Sequence, residues 1–324
     1  MLKKTILILL ALCILAAPVA VYRHFNGKGP VAEVEIPPGV SASKIADILK
    51  EDGIIKSKLF FKICLKISGA APLLRSGSFA LNKNTSSIEV IWRLLNDSGA
   101  QLHRVTVLEG WRIEEIAEEL QRAGIIADKQ TFIDAAYLQD AEGYLFPSTY
   151  LFPQDMPAEK VVQVMMAEHR AKITPLIQTA IRLGRTNLNE REILALASIV
   201  EREALFHDER PKIAAVYLNR IKIGKKLEAD PTVQYAIGYS EDEGRHWKKR
   251  VLYKDLRHDS PYNTYRYQGL PPGPIANPGI SSVQAVLEPQ PGFDALYFVA
   301  DSTGRHIFSV TYNQHVQNIQ KIRD

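Results

Sequence analysis

The feature that most constrains this chain is an internal duplication. Val34-Glu-Ile-Pro-Pro-Gly39 and Val105-Thr-Val-Leu-Glu-Gly110 lie 71 residues apart. The same offset pairs Ile45 with Ile116, Ala46 with Ala117, Gly53-Ile54-Ile55 with Gly124-Ile125-Ile126, Phe61 with Phe132 and Phe79 with Tyr150. Each copy reads as a strand, a glycine turn and an amphipathic helix with a Gly-Ile-Ile stop. Ile45, Ile48 and Leu49 share one helix face by 3–4 spacing, and Glu115, Glu118 and Glu119 mark the polar side of the second copy. Gly53 and Gly124 fit the position just past a helix end, where a left-handed backbone suits glycine. Such a pair serves either as a scaffold or ligand-binding module or as a duplicated spacer.

The 324 residues predict about two domains rather than one. A hydrophobic share of 46% with 23% charged residues excludes wholesale disorder. A net charge of +4 is too mild to call for a nucleic-acid partner. Two cysteines, Cys13 and Cys64, build neither a disulfide framework nor a thiolate metal site. Lys3 and Lys4 precede an apolar stretch from Thr5 to Tyr22, which Arg23 and His24 end. Its roughly 18 residues would reach about 27 Å as a helix, close to the hydrocarbon thickness of a bilayer. Ala16, Ala17 and Ala20 leave a cleaved signal open, but Pro18 and Val19 make a poor cleavage site, so an uncleaved anchor over 1–26 is expected. The two lysines place its start in the cytoplasm and the rest of the chain on the far side.

The block Glu142 to Pro153 alternates Tyr144, Phe146, Tyr150 and Phe152 between apolar and turn residues. A short extended ribbon is expected, its rings either stacking on sugars or packing in the core. Helical patterns follow at 158–184 and 190–206, the second with Asn189 as N-cap and acids in its first turn.

The chemistry is expected between 190 and 282. Ile193-Leu-Ala-Leu-Ala-Ser-Ile-Val-Glu-Arg-Glu-Ala204 is an apolar helix that ends in two carboxylates. With Ile193 at the origin and about 100° per residue, Glu201 falls at about 80° and Glu203 at about 280°. The two flank the apolar face symmetrically, so periodicity does not choose between them. Either would be half desolvated, which raises a carboxyl pKa toward the range of a general acid. The competing reading is a helix end with solvated charges partnered by Arg202 and Arg210. Scattered histidines exclude a zinc motif despite the Glu203–His207 spacing, no phosphate-cradling loop occurs, and Ser198 sits on a helix without a nucleophile elbow. No metal and no cofactor are expected.

A polar and proline-rich region follows. Asp230, Thr232, Gln234, Tyr262, Asn263, Thr264, Tyr265 and Asn277 supply the hydroxyl, amide and aromatic groups that a carbohydrate needs, on loops that Pro and Gly hold rigid; a plain surface connection is the alternative.

Taken together, Ala197-Ser-Ile-Val-Glu-Arg-Glu203, Val216-Tyr-Leu-Asn-Arg220, Leu227-Glu-Ala-Asp-Pro-Thr-Val-Gln-Tyr235, Tyr262-Asn-Thr-Tyr265, Gly269-Leu-Pro-Pro-Gly-Pro-Ile-Ala-Asn-Pro-Gly279 and Leu296-Tyr-Phe-Val-Ala300 resemble the MltG (YceG-like) family of endolytic murein transglycosylases. The resemblance runs over essentially the whole chain. It implies a single-pass inner-membrane protein with an extracytoplasmic catalytic domain and a LysM-like module before it. It implies cleavage of nascent peptidoglycan between N-acetylmuramic acid and N-acetylglucosamine with 1,6-anhydromuramyl ends. It implies Glu203 as the catalytic acid, with Ala204 where soluble relatives of the chemistry carry a hydroxyl residue. Glu201 is the supporting or alternative acid, and the eight polar residues above are the substrate-binding candidates. Implied partners are glycan strands, the membrane and peptidoglycan synthases.

The expected fold is α+β: an anchor at 1–26, a first β-α repeat at 30–100, a second repeat with its ribbon at 101–155, and a mixed α/β catalytic domain at 156–324. Tyr297 and Val299, then Ile307 and Val310, around Ser302-Thr-Gly304 predict a hairpin, followed by a helix from about 313. Two other functions compete with the lytic enzyme. One is a non-catalytic peptidoglycan-binding scaffold. The other is a muramidase that uses water, for which Asp230 would be the second carboxylate.

Overall fold

In the computed structural model, residues 29–96 and 102–323 are described. The expected anchor, with Lys3, Lys4 and Cys13, lies outside them. Among the described residues no helix is long and apolar enough to cross a membrane. The described chain divides into two compact units: residues up to Arg104 with Leu151–Gln154, and Val105–Tyr150 with residues from Asp155 onward. Helices and three two-stranded sheets make the fold α+β.

The first unit starts from alternation. In β1 (Val31–Ile36) Val34 and Ile36 are buried while Glu33 and Glu35 face water, as a strand with one covered face requires. It pairs antiparallel with β2 (Gly77–Asn82), Val34 opposite Phe79. Helices α1 (Ala42–Glu51), α2 (Lys58–Ser68) and α3 (Ser87–Asn96) cover that face with Ile45, Leu49, Phe61, Leu65, Val90 and Leu94. Ser41 and Ser57 cap α1 and α2 by accepting from the Lys44 and Phe60 amides.

The second copy repeats the order. It has β3 (Leu102–Thr106), α4 (Ile113–Arg122), α5 (Lys129–Leu138) and β4 (Thr149–Pro153), with β3 beside β4. The apolar residues paired at offset 71 are buried in both copies: Ile45 and Ile116, Ala46 and Ala117, Ile54 and Ile125, Ile55 and Ile126, Phe61 and Phe132, Phe79 and Tyr150. Gly53 and Gly124 hold φ of 73° and 70°, and the amides of Ile54 and Ile125 bond to the carbonyls of Leu49 and Leu120. Each copy thus has a second helix and a return strand beyond the expected strand and helix. The expected ribbon over 142–153 shrinks to β4, and its rings pack inward: Phe146, Tyr150 and Phe152 are buried and Tyr144 is half-buried.

In the second unit the helical pattern at 158–184 breaks into α6 (Ala158–Lys172) and α7 (Thr174–Arg182). Pro175 sits in the first turn of α7, where its missing amide costs least. At the centre lies α8 (Glu190–Glu203), shorter than the expected 190–206. Asn189 accepts from the Glu192 amide and Glu192 accepts from the Asn189 amide, a reciprocal cap. Ile193 to Val200 are all buried, so α8 is covered on every side. Each fully buried aliphatic side chain there contributes about 1.5–3 kcal/mol. Helices α9 (Arg210–Lys222), α10 (Asp230–Ile237) and α11 (Ile280–Leu287) surround it. The hairpin of β5 (Tyr297–Ala300) and β6 (His306–Ser309), then α12 (Tyr312–Arg323), complete the unit.

The Pro-Gly segment 269–279 is not a surface connection. Residues 273 to 279 are buried, threaded between α8 and the second copy. A buried segment must bond its amides, and proline has none to bond. Three of the remaining donors find acceptors: Ile275 N–H donates to Ser198 Oγ at 3.0 Å, Asn277 N–H to Trp111 O at 2.8 Å and Gly279 N–H to a Glu201 oxygen at 2.9 Å. Ser198 is thereby a packing residue. Gly143 is required because a Cβ would lie 2.4 Å from Pro274 Cγ.

Asn277 joins the second copy to this segment. Its amide oxygen accepts from Leu145 N–H at 2.8 Å, its NH2 donates to Trp111 O and to a Glu142 oxygen, both at 3.0 Å, and its carbonyl accepts from Gly110 N–H. It is 1% exposed, which removes it from the substrate-binding candidates: every polar group it has is already used. Asn277→Ala should lower the unfolding free energy by about 3 kcal/mol, because the buried Leu145 amide loses its acceptor. Urea denaturation measures it, and a loss below about 1 kcal/mol would mean that the node is dispensable.

Candidate functional site

The helix end separates the two acids that periodicity left equivalent. Ala204 adopts an extended backbone, φ −81° and ψ 111°, and so stops α8 at Glu203. The chain then returns as α9 alongside α8. Its start carries Arg210 and its middle carries Tyr217. Arg210 Nη2 lies 2.5 Å from a Glu201 oxygen, and the other Glu201 oxygen takes the Gly279 amide. Arg210 also contacts His207 and Ser281, with Glu109 at 3.7 Å. Glu201 therefore closes an interior ion pair, and removing it would strand a buried guanidinium.

Glu203 turns the other way. Tyr217, 1% exposed, donates its hydroxyl to Glu203 Oε1 at 2.7 Å. Burial pushes the Glu203 carboxyl up to about 7. The Tyr217 hydrogen bond pulls it down, the charge of Asp230 pushes it up, and Arg220 and Arg202 pull it down. The tyrosine is itself raised, by burial and by the carboxyl it serves.

Glu203 and Tyr217 form part of the lining of a cavity of about 380 Å³. Asp230 and Tyr265 border it, as do Tyr297, Phe298, Val299 and Ala300 of β5 with His306, Tyr312 and His315. Tyr265 donates to Asp230 Oδ1 at 2.6 Å. Phe298 packs edge-on against Tyr217, with ring centroids 5.7 Å apart. His306 is oriented from behind: its Nδ1 lies 2.8 Å from an oxygen of Glu209, which is 4% exposed. Arg220 fixes the wall by donating to Leu296 O and Leu227 O, each at 2.6 Å, and to Glu228 at 3.2 Å.

The other sequence candidates divide by burial. Thr232 and Thr264 are buried and share a hydroxyl contact of 2.8 Å, and Thr264 Oγ1 accepts the Ala229 amide at 3.0 Å. Asn263, fully buried, donates to Leu256 O and His258 O and accepts from Tyr265 N–H. These three shape the loop that presents Tyr265 and do not face the cavity. Gln234 donates to Lys248 O at 2.6 Å, and Tyr262 packs on Tyr235 at 4.9 Å; neither borders the cavity. Of the ten candidates, Glu203, Asp230 and Tyr265 meet at one place. Tyr217, Arg220, Tyr297, Phe298, His306 and Glu209 were not singled out from the sequence as site residues. The Val216-Tyr-Leu-Asn-Arg220 motif held two of them, but no local pattern says that a helix doubles back.

A perturbed carboxyl alone would not locate the site. Burial also raises Glu142, to about 8, with Arg112 pulling against it. Yet Glu142 is enclosed by Asn277, Tyr235 and the Ile113 amide and does not line that cavity. Glu203 combines a raised pKa with open space for a ligand. Among the described residues no three His, Cys, Asp or Glu side chains gather to hold a metal ion.

A carbon-13 NMR titration of the Glu203 carboxyl should give a midpoint near 7. Tyr217→Phe should raise that midpoint and Asp230→Asn should lower it, since the first removes a donor to the charged form and the second a neighbouring negative charge. Equal shifts of one sign would break the assignment of these two neighbours.

The chain is similar to known proteins along most of its length. The YceG-like family model matches residues 34–321. An endolytic murein transglycosylase of Bacillus subtilis is 35% identical over 307 residues, covering 87% of this chain and 82% of that protein. One of Streptococcus pneumoniae is 28% identical over 326 residues, and the match spans only 57% of its length. The crystal structure of a yceG-like protein from Listeria monocytogenes superimposes with a TM-score of 0.57 at 29% identity, over 90% of this chain and 99% of that one. With its matched region spanning nearly the whole chain, this protein belongs to the YceG-like family.

Proposed function

We propose that this protein is an endolytic murein transglycosylase that cuts peptidoglycan strands between N-acetylmuramic acid and N-acetylglucosamine and leaves 1,6-anhydromuramyl ends. The observation that carries the reading is one carboxyl, Glu203, raised to about 7 in a cavity lined by tyrosines and a phenylalanine. Aromatic faces and hydroxyls suit pyranose rings. The names of the Bacillus and Streptococcus relatives support the same activity.

The chemistry follows from a single acid. Tyr217 donates to Oε1, so the proton of neutral Glu203 resides on Oε2. Oε2 gives that proton to the glycosidic oxygen as its bond to C1 of the muramyl sugar breaks. The carboxylate then takes the proton of the C6 hydroxyl of the same sugar, whose oxygen bonds to C1 and closes the anhydro ring. The attack is intramolecular, so the nucleophile needs no recruitment from solvent. Tyr217 stabilises the charged interval between the two transfers.

The rest of the reading is architectural. The apolar stretch Thr5–Tyr22 supports a single-pass anchor in the cytoplasmic membrane with the described residues on the outer side. The β-α-α-β order of the two copies supports a LysM-like module that holds glycan. Peptidoglycan synthases, which make the same strands, are the protein partners this placement suits. Asp230, beside Glu203 in the cavity, keeps a water-using muramidase as the second reading.

Mass spectrometry of digested strands separates the two readings by one water: anhydro ends support the proposal and reducing ends overturn it. Glu203→Gln should abolish the product. Activity should fall as pH rises through about 7, where the acid loses its proton. Stability supplies a control. The folded pKa of about 7 lies above the ordinary 4.5, so the native protein loses stability as pH rises through that window. Glutamine escapes the loss, by up to about 3 kcal/mol. The variant should therefore match the parent at pH 4 and exceed it at pH 8 in chemical denaturation.

A further inference from the structure

Helix α2 carries an apolar stripe on the face away from the core. Phe61 and Leu65 point inward. Leu59, Ile63 and Ile67 follow one another at four-residue spacing on the opposite side, 70%, 44% and 81% exposed. Four-residue spacing makes them one continuous strip roughly 12 Å long. Soluble domains seldom leave three branched aliphatic side chains in line to water. Leu73 and, on α3, Ile88 and Trp92 are further large apolar side chains exposed in the same unit.

The charge pattern of α2 narrows the occupant. Lys58, Lys62 and Lys66 are its charged residues, and it has no acid. By helical rotation Lys62 and Lys66 border one edge of the strip. Lys62 donates to Ser43 Oγ, a neutral partner, at 2.7 Å; Lys58 is paired with Asp47 at 2.8 Å. The acids of the adjoining helix α1 are Asp47 and Glu51, and residues 29–96 as a whole hold nine lysines and arginines against six acids. An aliphatic strip edged by lysines is the pattern of a helix lying in a lipid headgroup layer, amines at the phosphates and side chains among the acyl chains.

The position in the chain supplies the second argument. The apolar stretch ends at Tyr22 and β1 begins at Val31. Nine residues span at most about 32 Å, so a unit that starts there cannot leave the neighbourhood of the bilayer. Tethering at such range turns a weak surface affinity into steady contact.

We propose that α2 docks the first unit onto the bilayer, with Leu59, Ile63 and Ile67 seated below anionic phospholipid headgroups and Lys62 and Lys66 on their phosphates. The proposal rests on the membrane anchor of the preceding section. Docked this way, the first unit is a membrane-surface element, held to the bilayer at two points: its tether and this helix.

The test uses the full chain reconstituted into vesicles. Cys13 is replaced by serine and Cys64 by alanine, and a single fluorescent label is placed through Ile63→Cys. A second chain carries the label through Leu138→Cys, which is 88% exposed in the other unit. Doxyl-labelled lipids should quench the label at 63 in vesicles containing phosphatidylglycerol and leave the label at 138 unquenched. Lys62→Glu with Lys66→Glu should weaken quenching at 63 by more than about tenfold in the docked-to-free ratio, while the thermal midpoint of unfolding stays put. Vesicles of phosphatidylcholine alone should give intermediate quenching. A chain that remains with vesicles through alkaline carbonate but whose label at 63 is no more quenched than that at 138 overturns the docking and leaves the anchor standing. Failure to remain with vesicles overturns both. Shielding of the label at 63 without lipid quenching, whether by added glycan strands or by a second copy in detergent, assigns the strip to that occupant and overturns the proposal.

Discussion

The structure depends on the desolvation of a carboxyl at the end of a helix that is covered on all sides. Eight consecutive buried residues of α8, Ile193 to Val200, lead into Glu203. A helix buried this completely carries its last side chain into the interior with it. Water is then too scarce to favour the charged form, and the carboxyl stays protonated near neutrality. The surroundings hold this effect in check. Tyr217 and the guanidinium groups of Arg202 and Arg220 pull the carboxyl back, so that it can both give and accept a proton. Burial without these partners would make a permanent acid; the partners without burial would make a permanent base.

The same helix end illustrates how two chemically identical groups acquire different work. Glu201 and Glu203 are two residues apart and equally placed about the apolar face. The returning helix α9 meets the first with a guanidinium and the second with a phenol. An ion pair with Arg210 and the Gly279 amide uses both oxygens of Glu201, whereas the single bond from Tyr217 leaves Glu203 one oxygen free to face the cavity.

What the sequence disclosed follows the range of the interactions involved. Short-range features were legible: the Asn189 cap, the glycines that end α1 and α4, the hairpin with its closing helix, and the apolar helix ending in acids. The choice between the two acids was not, because it is made by residues nine and fourteen positions further on. Composition misled at Thr232, Asn263, Thr264 and Asn277. Polar residues among prolines usually lie at a surface, and nothing local tells that a segment runs through the interior. The break at Ile173 between α6 and α7 was masked by apolar spacing that continues across Pro175.

The Pro-Gly segment carries a further meaning in where its prolines fall. Its three inward amide bonds come from alternate residues, 275, 277 and 279, while Pro274 stands just before the first and Pro278 in the gap before the last. Sliding the chain by a single position would set Pro274, Ala276 and Pro278 against Ser198, Trp111 and Glu201, and two of those three have no hydrogen to offer. A slip by one position in either direction therefore sets at least one proline against an acceptor, and the order of imino and amino acids along the segment helps to fix how deep it is threaded.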